Sequence, residues 1–145
     1  MKKKSTEELR HEIKAATDIE DYLKNNRENL IQYNLPKYLN ELLAKKGLRK
    51  ADVVRGSQLS RAYVYQIFSG EKTPSRDKLI ALAFGLRLSE TETQTLLKMS
   101  GNPQLYAREE RDAVILFALQ RNQSIFEINE LLYEHRFTAL GVPEE

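Results

Sequence analysis

The chain contains no cysteine and no tryptophan. Without thiols it can form neither a disulfide nor a thiolate metal site, and a cysteine nucleophile is excluded. Histidine is almost as scarce: His11 and His135 are the two in 145 residues, far apart in the chain and in no metal-ligand spacing. No glycine-rich phosphate loop occurs among the six glycines. The expectation is a protein that is not an enzyme and needs no metal and no cofactor. Glu109, Glu110 and Asp112 read as an exposed acidic helix start, and the sequon Asn122-Gln123-Ser124 means nothing without secretion. The longest unbroken apolar run, Ala113–Leu119, is far too short to span a bilayer. The opening "MKKKSTEELR" is basic but lacks the apolar core of a signal peptide. Together these absences point to a soluble cytoplasmic protein with no membrane partner.

What the chain does have is an uneven distribution of charge. Its net charge is +2, but residues 36–88 carry eleven Lys/Arg against four Asp/Glu. Residues 1–35 balance at seven of each, and residues 89–145 carry five basic against ten acidic. A basic segment between a neutral and an acidic one marks a polyanion site in the middle.

Helical periodicity fills nearly all the space between the proline and glycine marks, with no stretch of period-two alternation, so the fold class is all-α. Ser5 or Thr6 can cap a short helix to about Ala15, and Asp18 another through Asn25, with 26–35 irregular. Pro36 suits a first helical position, ahead of the stripe Leu39, Leu42, Leu43 and a stop at Gly47. Further helices are expected at about 50–56, 61–69, 76–84 ended by Gly85, 90–100, 106–121 and 124–136. This gives an N-terminal helical extension over 1–35, a central domain over 36–100 and a C-terminal helical hairpin over 101–145.

The last two helix pairs resemble each other. A shift of 35 residues aligns 76–97 with 111–132 at eight identical positions of 22, among them Arg76/Arg111, Asp77/Asp112, Ser89/Ser124 and Glu92/Glu127. Each copy has a serine with an acid three residues on, the pattern of a capping box. Either two hairpins converged on the same cap and core chemistry, or a hairpin is repeated and stacked as in a solenoid. On both readings the second pair packs on the first, through Val114, Ile115, Ala118, Ile128, Leu131 and Leu132.

In the stretch "SRAYVYQIFSG", residues 60–70, Val64, Ile67 and Phe68 share one helix face and form a core stripe. Arg61, Ala62, Tyr65 and Gln66 project elsewhere, with Tyr63 at the edge. The two tyrosines either cover neighbouring helices or face a partner. The outward set has the chemistry of base recognition: arginine takes guanine bidentately, glutamine takes adenine, and alanine or a tyrosine ring meets a thymine methyl.

The segment "LRKADVVRGSQLSRAYVYQIFSGEKTPSRDKLIALAFGL", residues 48–86, resembles the helix-turn-helix of the Xre/Cro-type, lambda-repressor-like family. A short helix at Lys50–Gly56, a turn at Ser57–Ser60, a recognition helix at Arg61–Ser69 and the "G-x-x-x-P-S" stretch Gly70–Ser75 fall at the family's offsets. The resemblance covers about 36–98 and implies sequence-specific binding of double-stranded DNA, as in a bacterial or phage-type transcriptional regulator. By family position Arg61, Ala62, Tyr65 and Gln66 would read bases. Lys50, Arg55, Tyr63, Lys72, Thr73 and Arg76 would hold the DNA backbone. Two departures stand out. Gln58 occupies the turn position usually given to a small residue or glycine. Val54 stands where the family places a small residue at a close helix crossing.

Proteins resembling this one usually bind as homodimers, and the chain offers two self-contacts: the helix 89–100 and, preferred because it lies outside the DNA-binding unit, the terminal hairpin with Leu132, Tyr133 and Phe137. The alternative is a helix-turn-helix scaffold that binds protein, as an antitoxin or accessory factor does, through its acidic C-terminal hairpin.

Overall fold

The computed structural model describes residues 4–30 and 34–141, and every regular element among them is a helix. The chain divides into two compact units after Tyr33. In the first, α1 (Thr6–Ala15) starts where Ser5 Oγ accepts the Glu8 N–H, and α2 (Ile19–Asn25) where Asp18 does the same for Glu20. A 3-10 turn, Arg27–Asn29, follows; the rest of the irregular stretch expected over 26–35 includes residues 31–33, outside the described ones. The unit is tied by a polar cluster. Buried Asn26 donates to Glu12 Oε2 at 2.7 Å and accepts from Lys4 Nζ at 2.9 Å.

The second unit has seven helices among its described residues. α3 (Leu35–Lys45) begins one residue before Pro36, because Asn34 Oδ1 accepts the Lys37 N–H at 3.1 Å. α4 (Lys50–Ser57) and α5 (Arg61–Ser69) follow, then α6 (Arg76–Gly85), α7 (Glu90–Met99), α8 (Glu110–Gln120) and α9 (Ile125–Glu134). α6 is buried on every side from Leu79 to Gly85, as befits the central helix of a small domain. α4 lies across one side of it, and α7 and α9 pack on others.

Gly85 does not stop α6 as expected. It lies within the helix, and Arg87 takes the left-handed conformation (φ 55°) instead. The reason is steric: a Cβ on Gly85 would come within 2.8 Å of the Val53 carbonyl of α4. Gly56 is the matching small residue on α4, so the close crossing sits there and not at Val54. α8 also starts later than expected, at Glu110, because the Asp112 carboxylate accepts the Tyr106 N–H and holds the preceding loop.

The 35-residue similarity extends well beyond the aligned letters. Arg76 donates to the Pro103 carbonyl, and Arg111 to that of Thr138, 35 residues on. The Gln94 amide grips both backbone groups of Leu105, and Asn129 grips those of Leu140. Left-handed residues fall at Arg87 and Asn122, and again at Gly101 and Arg136. The hairpin is therefore repeated as a structure. The copies do not stack head to tail, however. Arg76 pairs with Asp112 at 2.8 Å and Arg111 with Asp77 at 2.9 Å, while α6 meets α9 and α7 meets α8. Such exchanged contacts are those of a local two-fold pairing.

The two ion pairs differ in depth, since the Asp112 side chain is 6% exposed and that of Asp77 42%. Asp112→Ala removes a buried carboxylate that holds both Arg76 and the Tyr106 N–H, and should lower unfolding free energy by about 3 kcal/mol. Asp77→Ala should cost about 1 kcal/mol or less; denaturant titration of both variants checks the contrast.

A second ionic tie joins α3 to α7. Glu92 accepts from Lys46 Nζ at 2.7 Å, the Ser89 N–H at 2.9 Å and, more loosely, Lys45. Burial alone would raise its pKa, but these donors outweigh it and bring the carboxyl down to about 2. A depressed pKa contributes stability that is present above the unfolded value and lost as pH falls through the folded one. Glu92→Gln should therefore cost about 1–3 kcal/mol near neutrality. The gap should narrow as pH drops below about 4.5 toward 2, as followed by melting temperature.

Candidate nucleic-acid interface

α5 is presented by a tight turn and two capped ends. At the end of α4, Gln58 adopts the left-handed conformation (φ 62°, ψ 12°) that the turn requires, despite its side chain. Such a conformation costs a non-glycine residue about 1 kcal/mol. Buried Ser57 accepts the Leu59 N–H, and Leu59 plugs into the core beneath the turn. Ser60 Oγ then accepts the Tyr63 N–H and starts α5. At its far end Gly70 turns left-handed (φ 88°), and Lys72 N–H returns to the Gln66 carbonyl. Asn40 of α3 also donates to the Phe68 carbonyl at 3.1 Å. A helix held at both ends and from behind can offer its outer face as a rigid surface.

Val64, Ile67 and Phe68 point into the core, as the periodicity requires. Arg61, Ala62 and Tyr65 are exposed, and Gln66 is half-buried beside them. Tyr65 is the centre of this face. Lys50 Nζ, from the first turn of α4, lies 5.1 Å from its ring centroid, and the Arg61 guanidinium 5.6 Å from it. Arg61 also reaches the Tyr65 hydroxyl at 3.4 Å. Two cations thus flank one aromatic ring, an arrangement that steadies long side chains that would otherwise be mobile. Lys72 and Thr73 are exposed in the loop that follows α5.

Two residues expected on the DNA backbone, Tyr63 and Arg76, are engaged in the fold, while Arg55 is exposed. Tyr63 is buried, at 8% exposure. It stands four residues before Ile67 and so belongs to the core stripe, a spacing legible in the sequence itself. Of the pair of tyrosines, only Tyr65 faces outward. Arg76 is engaged by the Asp112 carboxylate and the carbonyls of Pro103 and Gln104, so its donors serve the fold. Arg55 pairs with Asp52 and lines a separate cleft shared with Phe126. The sequence reading also missed Asp52. Its carboxylate accepts the Arg49 N–H at 2.8 Å, the chief cause of a pKa below the usual carboxylate range, with Arg49 and Arg55 adding to it.

A short helix, a left-handed turn and a capped second helix with an exposed basic and aromatic face define a helix-turn-helix protein, a DNA-binding architecture. Residues 21–96, just over half the chain, match the helix-turn-helix domain family, and the chain belongs to that family. No curated protein and no solved structure matches it. Among the described residues no helix is long and apolar enough to cross a membrane, and no group of acidic or histidine side chains could hold a metal ion.

The two tyrosines should separate cleanly on substitution. Tyr63→Ala empties a core position and should cost about 3 kcal/mol, whereas Tyr65→Ala should change stability by about 0.5 kcal/mol or less. Thermal unfolding of the two variants side by side checks the assignment.

Proposed function

We propose that this protein is a sequence-specific double-stranded-DNA-binding regulator of transcription of the Xre/Cro type, working in the cytoplasm, with α5 entering the major groove. The observation that carries this reading is the outward face of α5. Arg61, Ala62, Tyr65 and Gln66 stand together on it, with Lys50 beside the Tyr65 ring and the exposed Lys72–Thr73 loop following the helix. In this reading those four residues contact base edges, and Lys50, Lys72 and Thr73 hold phosphates. Tyr63 and Arg76 are taken up by the fold and drop out of the contact set, while exposed Arg55 stays in it as a phosphate contact.

One recognition helix spans only a few base pairs, too few to select a site in a genome. The protein therefore binds as a homodimer on a two-fold symmetric site, its two α5 helices about 34 Å apart. The self-contact suggested for the terminal hairpin is narrower than expected: Leu132 is buried and Phe137 packs on the core, which leaves exposed Tyr133.

Selection of bound duplexes from a random pool tests the reading. Arg61→Ala and Gln66→Ala should each lose about 1–3 kcal/mol on the selected site and relax the choice at one base. Lys72→Ala should weaken all duplexes alike and lower the salt slope by about one. A selected profile unchanged in both α5 variants would overturn the assignment, and one protein per asymmetric site would overturn the dimer.

A further inference from the structure

The two repeated hairpins end in the same clasp but close it on different neighbours. Gln94 donates to the Leu105 carbonyl at 2.8 Å and accepts its N–H at 2.7 Å, and Asn129 does the same for Leu140 at the same two distances. Each clasp fixes the residue that follows. After Leu105 comes Tyr106, 59% exposed, whose N–H is accepted by Asp112. The matching position, 35 residues on, is Gly141, and it presses on the turn between α4 and α5. A Cβ there would run into the Ser57 carbonyl and lie 3.4 Å from Gln58 Cβ, at a left-handed φ of 70°. The second clasp thus closes on the helix-turn-helix itself, and its tip has room for glycine alone.

Asn129 also reaches the turn directly. Its Nδ2, besides holding the Leu140 carbonyl, lies 3.4 Å from Gln58 Oε1, 71 residues earlier. Gln58 is the residue in need of support, since it holds the left-handed conformation (φ 62°) with a side chain. Glycine would take that shape without strain but would offer Asn129 no acceptor. Directly after it Leu59 is buried beneath the turn and Ser60 caps α5, so a shift of Gln58 moves the start of α5 and with it Arg61.

We infer that Asn129 is a positioning residue for DNA recognition: it seats Leu140 and Gly141 on the Ser57–Gln58 turn, and α5 is aimed only while that terminal segment is docked. The inference rests on the DNA-binding reading and adds to it a control exerted from the second hairpin. With the segment undocked the strained turn relaxes, the fraction of molecules with α5 in its reading orientation falls, and apparent affinity falls with it. Phosphate contacts from Lys50 and Lys72 demand less of the helix orientation than base contacts do. The loss therefore falls on the selected site and not on duplex DNA in general.

The test uses the full chain. Asn129→Ala opens the clasp, and Gly141→Ala pushes the segment off the turn without touching the clasp. Asn129→Gln installs the residue that makes the same clasp in the first hairpin. Amide hydrogen exchange, without DNA, reads the turn. Exchange of the Leu59 N–H, which Ser57 Oγ accepts, should speed at least roughly fivefold in both alanine variants relative to the α6 amides, and stay near wild type in Asn129→Gln. DNA binding is then measured at a temperature where every variant is folded. Both alanine variants should bind the selected duplex about five- to tenfold more weakly, with random duplex unaffected and Asn129→Gln within about twofold of wild type. Adding Gln58→Gly to either alanine variant should restore the affinity, because a glycine turn needs no support. A purely structural role would weaken all duplexes alike and could not be repaired at position 58. Unchanged Leu59 exchange, an equal loss on random duplex, or no repair by Gln58→Gly would overturn the inference. A wild-type chain that selects no duplex would overturn the DNA-binding reading and the inference with it; selection by the wild type together with any of the other results overturns the inference alone.

Discussion

The backbones of α4 and α6 touch at Gly56 and Gly85, and the position of everything in front of them depends on that contact. A Cβ on Gly56 would lie 3.0 Å from the Gly85 Cα, and one on Gly85 would lie closer still to the Val53 carbonyl. No side chain fits between two helices so close, so α4 has one seat on the central helix. α5 is joined to α4 by a short turn whose every residue is placed by a bond or by burial, and it inherits that seat. The orientation of Arg61, Tyr65 and Gln66 is in this sense a consequence of two glycines that touch none of them.

The paired hairpins explain how the acidic C-terminal segment serves a basic front. Arg76 and Asp77 head the central helix, and each is matched by the opposite residue of the second copy. The pairing anchors α6 along its solvent-facing end and leaves Arg61 and Lys72 exposed and Lys50 half-exposed. The chain then returns to brace the turn itself. Asn129 holds the backbone of Leu140, and Gly141 lies so near the Ser57 carbonyl that a Cβ there would stand 2.2 Å from it. Gln58, in its left-handed conformation, lies beside this contact. Support from the second hairpin helps a turn without glycine keep the shape that glycine would adopt readily.

Much of this could be read from the chain. Nearly every expected cap is present, and the serine-to-acid spacing at Ser89 and Ser124 closes two capping boxes, because capping is decided within four residues. Val64, Ile67 and Phe68 were placed in the core by spacing alone, and Tyr63 could have been by the same rule. Arg76 could not. Its partners lie 27 to 36 residues later, in a segment to which the helix-turn-helix resemblance does not reach. Gly85 misled for a related reason: glycine after a helical run usually marks a stop, but here it serves a neighbour distant in sequence.

Local rules act over one helical turn, so the residues themselves determined the helices, their caps, the apolar stripes, the likeness of the two hairpins and the basic middle segment. Which exposed cation stays available is a different kind of question, since an arginine looks alike in sequence whether it meets water, a phosphate or a buried aspartate. Only the tertiary structure decided that Lys50 and Arg61 flank Tyr65, that Arg76 belongs to Asp112, and that the two hairpins exchange partners about a local two-fold. Burial and distant pairing set those outcomes, and both depend on the whole chain having folded.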